Sequence, residues 1–151
     1  MTLTAKEQSL LKDMKDSEQL CIDKYTRGAT SAHDGQLKNL FSTLVENERS
    51  HLDLLTQIGN GTVPTMPSGG ASFPTFSATY SSATQNQDAK DDAYLCQDAL
   101  SGEKQVSSLY NTCIFEFTDN GVRSVLADIE KAEQNHGKMI YDYMKANGMY
   151  S

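Results

Sequence analysis

Two short motifs pair a glutamate with a histidine three residues later, Glu48-x-x-His51 and Glu133-x-x-His136. On a helix this spacing puts both side chains on one face, one turn apart, so both can bind the same cation. The chain has three histidines, and the motifs use two of them. A single pair of this kind is usually surface decoration, whereas two pairs indicate a metal site.

The surroundings of the two motifs repeat as well. Glu18 precedes the first motif by thirty residues, and Glu103 precedes the second by thirty. A tyrosine follows each of these glutamates seven residues later, and the whole pattern recurs at an offset of 85 residues. The two tyrosines are Tyr25 and Tyr110. The repeat predicts two equivalent helical hairpins related by a pseudo-two-fold axis.

All four of these segments place their glutamates on an apolar helical stripe. The stripe of the first motif reads Leu37, Phe41, Leu44, Glu48, His51, Leu55 and Ile58. Four carboxylates and two imidazoles would therefore converge in one core. The stripes contain no Lys or Arg, and an unpaired buried charge costs at least several kcal/mol. Metal cations would remove that cost.

The predicted metal ligands are Glu18, Glu48, His51, Glu103, Glu133 and His136. One Glu from each of two helices and one Glu-x-x-His from each of the other two is the ligand set of di-iron and di-manganese carboxylate bundles. Oxygen-rich ligation with one imidazole per metal favours two iron or manganese ions, although zinc can replace them in a purified sample. No separate catalytic residue follows from the sequence.

Several nearby residues have two interpretations each. Tyr25 and Tyr110 either hydrogen-bond a ligand carboxylate or pack in the core. Glu130, one turn before Glu133, is either an extra ligand in one half or a residue outside the ligand shell. His33, at the turn between the first two helices, is expected at the surface.

Four stretches have helical periodicity, over about 3–29, 34–59, 88–117 and 119–147. Thr4 and Glu7 have the spacing of a capping box, and Asp34 suits an N-cap. Gly148 can supply a left-handed C-cap after the last helix.

The segment 60–87 has no charged residue and contains all three prolines. It is unusually long for a structureless loop in a compact domain. An interdomain linker is one interpretation, but each half alone is too small to fold well. A crossover back along a helix of about 25 residues, roughly 38 Å, fits better. We therefore predict a single domain, 1–151, that is an all-α four-helix bundle with hairpins 3–59 and 88–147 and one long crossover between helices 2 and 3.

The net charge of −7 and the scattered basic residues argue against nucleic acid or an anionic membrane as the partner. No apolar run approaches the roughly 18 residues of a membrane span. The polar N-terminus is unlike a secretory signal. The three cysteines lack C-x-x-C spacing and are expected as reduced, packed thiols, so the expected location is cytoplasmic. They are Cys21, Cys96 and Cys113.

The order Glu18, Glu48/His51, Glu103, Glu133/His136 resembles that of the ferritin-like superfamily across all four helices, and is similar to bacterioferritins and rubrerythrins. The resemblance implies a ferritin-like bundle. No C-x-x-C pair is present, so the rubredoxin-like module of rubrerythrins is missing. Many di-iron carboxylate proteins have Asp just before the ligand Glu, and here those positions are Asn47 and Ala132.

More specifically, the chain resembles the coat F family of spore-coat proteins of endospore-forming bacteria. The opening LTAKEQSLLKDMKDSEQLCIDKYTRGA, the segment LFSTLVENERSHLDLL and the small-polar crossover carry this resemblance. It implies a protein made in the sporulating cell and placed in the coat.

Two functions remain open. In the first, a di-iron or di-manganese centre reacts with peroxide or oxygen, or oxidises Fe(II), as an oxidoreductase. In the second, the protein is a structural coat component whose metal site only stabilises the bundle. The crossover would then be an assembly surface with three exposed aromatic residues, Phe73, Phe76 and Tyr80. Two kinds of partner are compatible with the sequence. One is the assembled spore coat, and the other is a second copy of this chain, bound in a homodimer through Leu10, Leu52 and Leu95.

Overall fold

Four long α-helices and no β-strand make up the residues described by the computed structural model, 1–67 and 69–150. They are α1 Ala5–Ser31, α2 Gly35–Gly59, α3 Gln87–Ile114 and α4 Asn120–Ala146. The predicted all-α four-helix fold is confirmed. Ser68 of the predicted crossover and Ser151 lie outside the described residues.

The start of α1 is fixed by a capping box. The Thr4 hydroxyl accepts the Glu7 backbone N–H at 3.1 Å, and the Glu7 carboxylate accepts the Thr4 N–H at 2.9 Å. Asp34 and Asp119 cap α2 and α4 more simply, because their carboxylates accept the backbone N–H groups of Gln36 and Val122. These caps satisfy backbone donors that have no partner inside a helix.

The bounds of α3 differ slightly from the prediction. The helix begins at Gln87, because the Asn86 side chain accepts the Ala89 N–H at 2.8 Å and acts as the cap. It ends at Ile114, three residues before the predicted end. Phe117 lies beyond the helix but is still buried, so the apolar pattern continues past the last helical turn.

The two hairpins pack with α1 against α3 and α2 against α4. The chain directions follow from contacts at the helix ends. Glu7, near the start of α1, contacts Thr118, which follows α3. Asp34, at the start of α2, accepts the hydroxyl of Tyr143 near the end of α4 at 2.7 Å. Both of these packed pairs are therefore antiparallel.

The connection between α2 and α3 runs back along the bundle. Near its beginning, Val63 packs on Gly121 at the start of α4. Near its end, the Tyr80 hydroxyl donates to Asp92 at 3.0 Å, beside the turn between α1 and α2. The connection thus joins opposite ends of the bundle, as predicted for a crossover.

The expected exposure of the crossover aromatics is only partly right. Phe73 is exposed, at 42 % of its surface. Phe76 instead packs edge-on against Tyr143, with ring centroids 5.4 Å apart, and Tyr80 is buried. The expectation was wrong for these two residues because their rings anchor the crossover to the bundle.

Buried side chains from all four helices form one hydrophobic cluster. The three cysteines are free and buried, as expected for packed thiols. The outer leucines considered for a dimer are partly buried against this cluster. No helix in the described part of the chain is long and apolar enough to cross a membrane.

Candidate metal centre

The six predicted ligands all lie near the middle of their helices and face the core of the bundle. Each is at most 5 % exposed. Glu18 is in α1, Glu48 and His51 in α2, Glu103 in α3, and Glu133 and His136 in α4. The inward positions follow from the helical stripe, since residues three or four apart share a face.

These side chains form two overlapping groups, each with four ligand atoms within 4.8 Å of one another. The first group is Glu18, Glu48, His51 and Glu133, and the second is Glu48, Glu103, Glu133 and His136. Glu48 and Glu133 therefore belong to both. The arrangement has the pseudo-two-fold relation expected from the 85-residue repeat.

Both imidazoles direct Nδ1 towards the carboxylates. His51 Nδ1 lies 2.8 Å from Glu133 Oε1 and 3.3 Å from Glu48 Oε1. His136 Nδ1 lies 3.0 Å from Glu48 Oε1 and 3.4 Å from Glu133 Oε2. The two rings are nearly parallel, with centroids 5.6 Å apart. One imidazole is thus available to each group.

Buried polar atoms without partners show what the centre needs. Six side-chain atoms have no well-directed hydrogen bond within the described residues, although two of them, His136 Nδ1 and Glu48 Oε1, lie only 3.0 Å apart. The six are Glu18 Oε2, Glu48 Oε1 and Oε2, Glu103 Oε2, Glu133 Oε2 and His136 Nδ1. Leaving buried polar groups unsatisfied costs about 1–3 kcal/mol each, and more for charged ones. A set of oxygen atoms with two imidazole nitrogens fits two cations.

Two tyrosines hold the unshared glutamates across the α1–α3 interface. The Tyr110 hydroxyl donates to Glu18 Oε1 at 2.6 Å, and the Tyr25 hydroxyl donates to Glu103 Oε1. Of the two interpretations of these tyrosines, the structure shows hydrogen bonding to the carboxylates. Each bond occupies one oxygen and leaves Oε2 of the same glutamate without a partner.

The cluster shifts the pKa values of its own members. Burial raises the pKa of Glu18 to about 7, and burial with the Glu103 contact raises that of Glu133 well above its usual range. Burial alone would lower the pKa of His51 and His136, but their contacts with glutamates outweigh it and raise both. Without metal, the centre therefore retains protons, which bound cations would displace.

One contact outside the six residues breaks the symmetry. The Asn47 side-chain amide lies 3.4 Å from His136 Nε2. Its equivalent in the other half is Ala132, which has no polar side-chain atom. The sequence shows this difference in residue type, but not that Asn47 reaches a histidine 89 residues away.

The remaining candidates lie outside the centre. Glu130 is half-buried and belongs to neither group. His33 is at the surface, as expected, where its Nε2 lies 3.0 Å from Asp91 and its Nδ1 3.6 Å from Asp88. Sequence reasoning missed the nearby Asp92, whose buried carboxylate accepts the backbone N–H groups of His33 and Asp34. Asp92 is almost sixty residues away from His33 and Asp34 in the sequence, so no local pattern indicates these hydrogen bonds.

Comparison with known proteins gives one match. Residues 91–151 match the family model described as Coat F domain, which covers most of α3, all of α4 and the following C-terminus. No curated protein matches the chain, and no solved structure does either. The resemblance found in the sequence is therefore supported by a model of the family itself. Over its second hairpin, the chain is therefore similar to the Coat F domain family.

Proposed function

We propose that this chain is a ferritin-like protein of the spore coat that binds two metal ions, iron or manganese, in the middle of its helical bundle. The observation that carries the proposal is the pair of four-residue groups that share Glu48 and Glu133. The unpaired carboxylate oxygens support it, because cations are the partners that such oxygens lack. The Coat F match supports the coat location.

The residues divide into two kinds by their contacts. Glu48 and Glu133 contribute to both groups, so each would contact both ions. Glu18 and Glu103 each contribute to one group, and a tyrosine hydroxyl fixes one oxygen of each. Each tyrosine therefore limits the rotation of its carboxylate, and the other oxygen would remain free to hold a metal ion. The six side chains are at most 5 % exposed, which separates them from bulk water.

We propose an oxidoreductase activity for the loaded centre. Bound iron or manganese would supply redox chemistry with peroxide or oxygen, or in the oxidation of Fe(II). The protein contributes the spacing of the carboxylates, the orientation of the imidazoles and a dry interior.

Metal content measures the proposed site directly. We expect protein purified without chelator, then supplied with Fe(II) or Mn(II), to hold two ions per chain. Glu48→Gln and Glu133→Gln should each lower that number, because an amide keeps the shape of the side chain but is a poor ligand. Glu130→Gln is the matched control, one turn away and outside both groups.

Elemental analysis after gel filtration gives the ratio for all four proteins. A wild-type protein that retains no Fe, Mn or Zn would refute the site. Equal metal content in Glu133→Gln and Glu130→Gln would refute the assigned ligands.

A second function, a structural coat component, is favoured by the position of the ligands. Each four-residue group draws on both hairpins, so bound metal would tie all four helices together. Turnover separates the two functions. Iron-loaded protein with a full site that neither consumes peroxide nor oxidises added Fe(II) would refute the oxidoreductase and leave the structural role.

A further inference from the structure

A small cavity opens between α1 and α3 beside the candidate metal centre. Its volume is about 30 Å³, which is enough for a water-sized molecule. Most of the residues that line it are apolar or are glycines. The walls include Cys21, Tyr25, Phe41, Leu95, Ala99 and Gly102.

The cavity and the centre share a wall. Tyr25 lines the cavity, and its hydroxyl donates a hydrogen bond to Glu103 of the centre. Cys21 lies on the same wall, one turn after Glu18, and burial followed by the charge of Glu48 raises the pKa of its thiol. The thiol therefore stays protonated and contributes an uncharged surface. A molecule in the cavity would be separated from the carboxylates by these two side chains.

The outer end of the cavity reaches the surface. Lys24 and Asp98 line it and form an ion pair between α1 and α3, with Nζ and Oδ2 3.2 Å apart. Their side chains are 33 % and 52 % exposed. A Cβ on Gly102 would lie 3.3 Å from Lys24 Nζ, so the missing side chain leaves room beneath the pair.

The small residues that line this opening are not repeated in the other half of the bundle. At the 85-residue offset, Ala99 corresponds to Met14, Gly102 to Ser17 and Gly28 to Cys113. Met14 is fully buried and Cys113 is 1 % exposed, so larger side chains occupy the equivalent positions in the core. The ligands repeat, whereas the residues that leave the cavity open do not.

We propose that this cavity is the route by which a small uncharged oxidant, dioxygen or hydrogen peroxide, reaches the metal centre. The proposal rests on the proposed function. The small volume limits entry to molecules of a few atoms, and the apolar wall disfavours ions because they would lose hydration there. Tyr25 is the inner barrier, and the Lys24–Asp98 pair covers the outer end.

Access to the cavity can be measured on metal-free protein. Dissolved dioxygen is paramagnetic and speeds the NMR relaxation of methyl groups that it reaches. We expect a several-fold larger enhancement at the Leu95 and Ala99 methyls than at the Met14 methyl. Ala99→Met, which copies the other half, should remove the enhancement at Leu95, and Ser108→Met on the exposed face of α3 should not. Equal enhancements at Leu95 and Met14 in the wild type would overturn the proposal.

Reaction of the iron-loaded protein is the second measurement, with dioxygen and with peroxide in separate arms. We expect Ala99→Met to slow the arm that uses the cavity several-fold, with metal content unchanged. Gly102→Ser is a second, smaller blocking variant in case the first does not fold. Unchanged rates in both arms, with the cavity shown to be filled, would overturn the access route. Failure of the wild type to bind metal would instead refute the proposed function, and the relaxation measurement would still decide whether small molecules enter.

Discussion

At the residue scale, the two halves of the centre differ in what holds the imidazoles. If His136 binds metal through Nδ1, its Nε2 carries the proton and must donate. The Asn47 side-chain amide must then accept this proton with its oxygen. This requires rotating the amide by 180° from the orientation in the structure, where its nitrogen is nearest to His136. The oxygen and nitrogen of such an amide are nearly indistinguishable. Such a bond orients the ring and makes it a better ligand. At His51 the equivalent position is Ala132, so the two proposed metal positions would not be equivalent.

We expect Asn47→Ala to weaken binding of one ion by about tenfold, in line with the usual cost of removing a hydrogen-bond partner of a metal ligand. The other ion should bind as before, because its histidine does not contact Asn47. Titration with Mn(II) by isothermal calorimetry resolves the two affinities. Glu46→Ala, the exposed residue just before it, is the control. A similar loss at both positions, or none at either, would contradict the role assigned to Asn47.

At the element scale, the start of α1 is tied to the turn between α3 and α4. Glu7 completes the capping box and also accepts the Thr118 N–H at 2.9 Å and its hydroxyl at 3.1 Å. Burial opposes ionisation of Glu7, but these donors outweigh it, and the pKa is lowered. The ionised side chain therefore stabilises the fold above the usual glutamate pKa of about 4.5, and this contribution is lost as pH falls through the lower folded value.

We expect Glu7→Gln to reduce the free energy of unfolding by about 1–2 kcal/mol at pH 7, because hydrogen bonds to a charged acceptor become bonds to a neutral one. The difference from wild type should shrink below the pKa of the folded protein, where Glu7 is itself neutral. Urea unfolding followed by circular dichroism at both pH values measures it. Glu116→Gln, an exposed glutamate at the same end of the bundle, should change little. An equally large effect of Glu7→Gln at pH 7 and at low pH would rule out the ionic contribution.

Much of this architecture could be predicted because it depends on local or repeated sequence. Helix periodicity, the caps at Thr4 and Asp34, and the 85-residue offset are all visible in the chain itself. Hydrogen-bond partners that are far apart in the sequence cannot be predicted in this way. The crosswise bond from Tyr25 to Glu103 joins residues 78 apart, and the burial of Tyr80 depends on its bond to Asp92 across the end of the bundle. The apolar crossover residues carry no signal of which groove they fill.

At the scale of the whole molecule, the candidate centre connects parts that the chain joins only through an uncharged crossover. Each four-residue group takes ligands from both hairpins. Polar contacts tie the bundle at its two ends, through Glu7 with Thr118 and Asp34 with Tyr143. In the middle, Tyr25 and Tyr110 each bond one carboxylate oxygen, but five other carboxylate oxygens have no hydrogen-bond partner among the described residues. Metal binding should therefore contribute directly to the stability of the complete bundle.

We expect metal to raise the melting temperature of the wild type by roughly 10–20 °C, since each ion at a hundredfold excess over Kd adds about 2.7 kcal/mol and 1 kcal/mol shifts a chain of this size by about 2–4 °C. The double variant Glu48→Ala/His51→Ala should lose most of this shift, because Glu48 contributes to both groups. Glu46→Ala/Ser50→Ala, exposed on the same helix, should keep it. Differential scanning calorimetry with and without Mn(II) measures all three. An equal rise in the two double variants would show that metal binds elsewhere and that the centre does not hold the hairpins together.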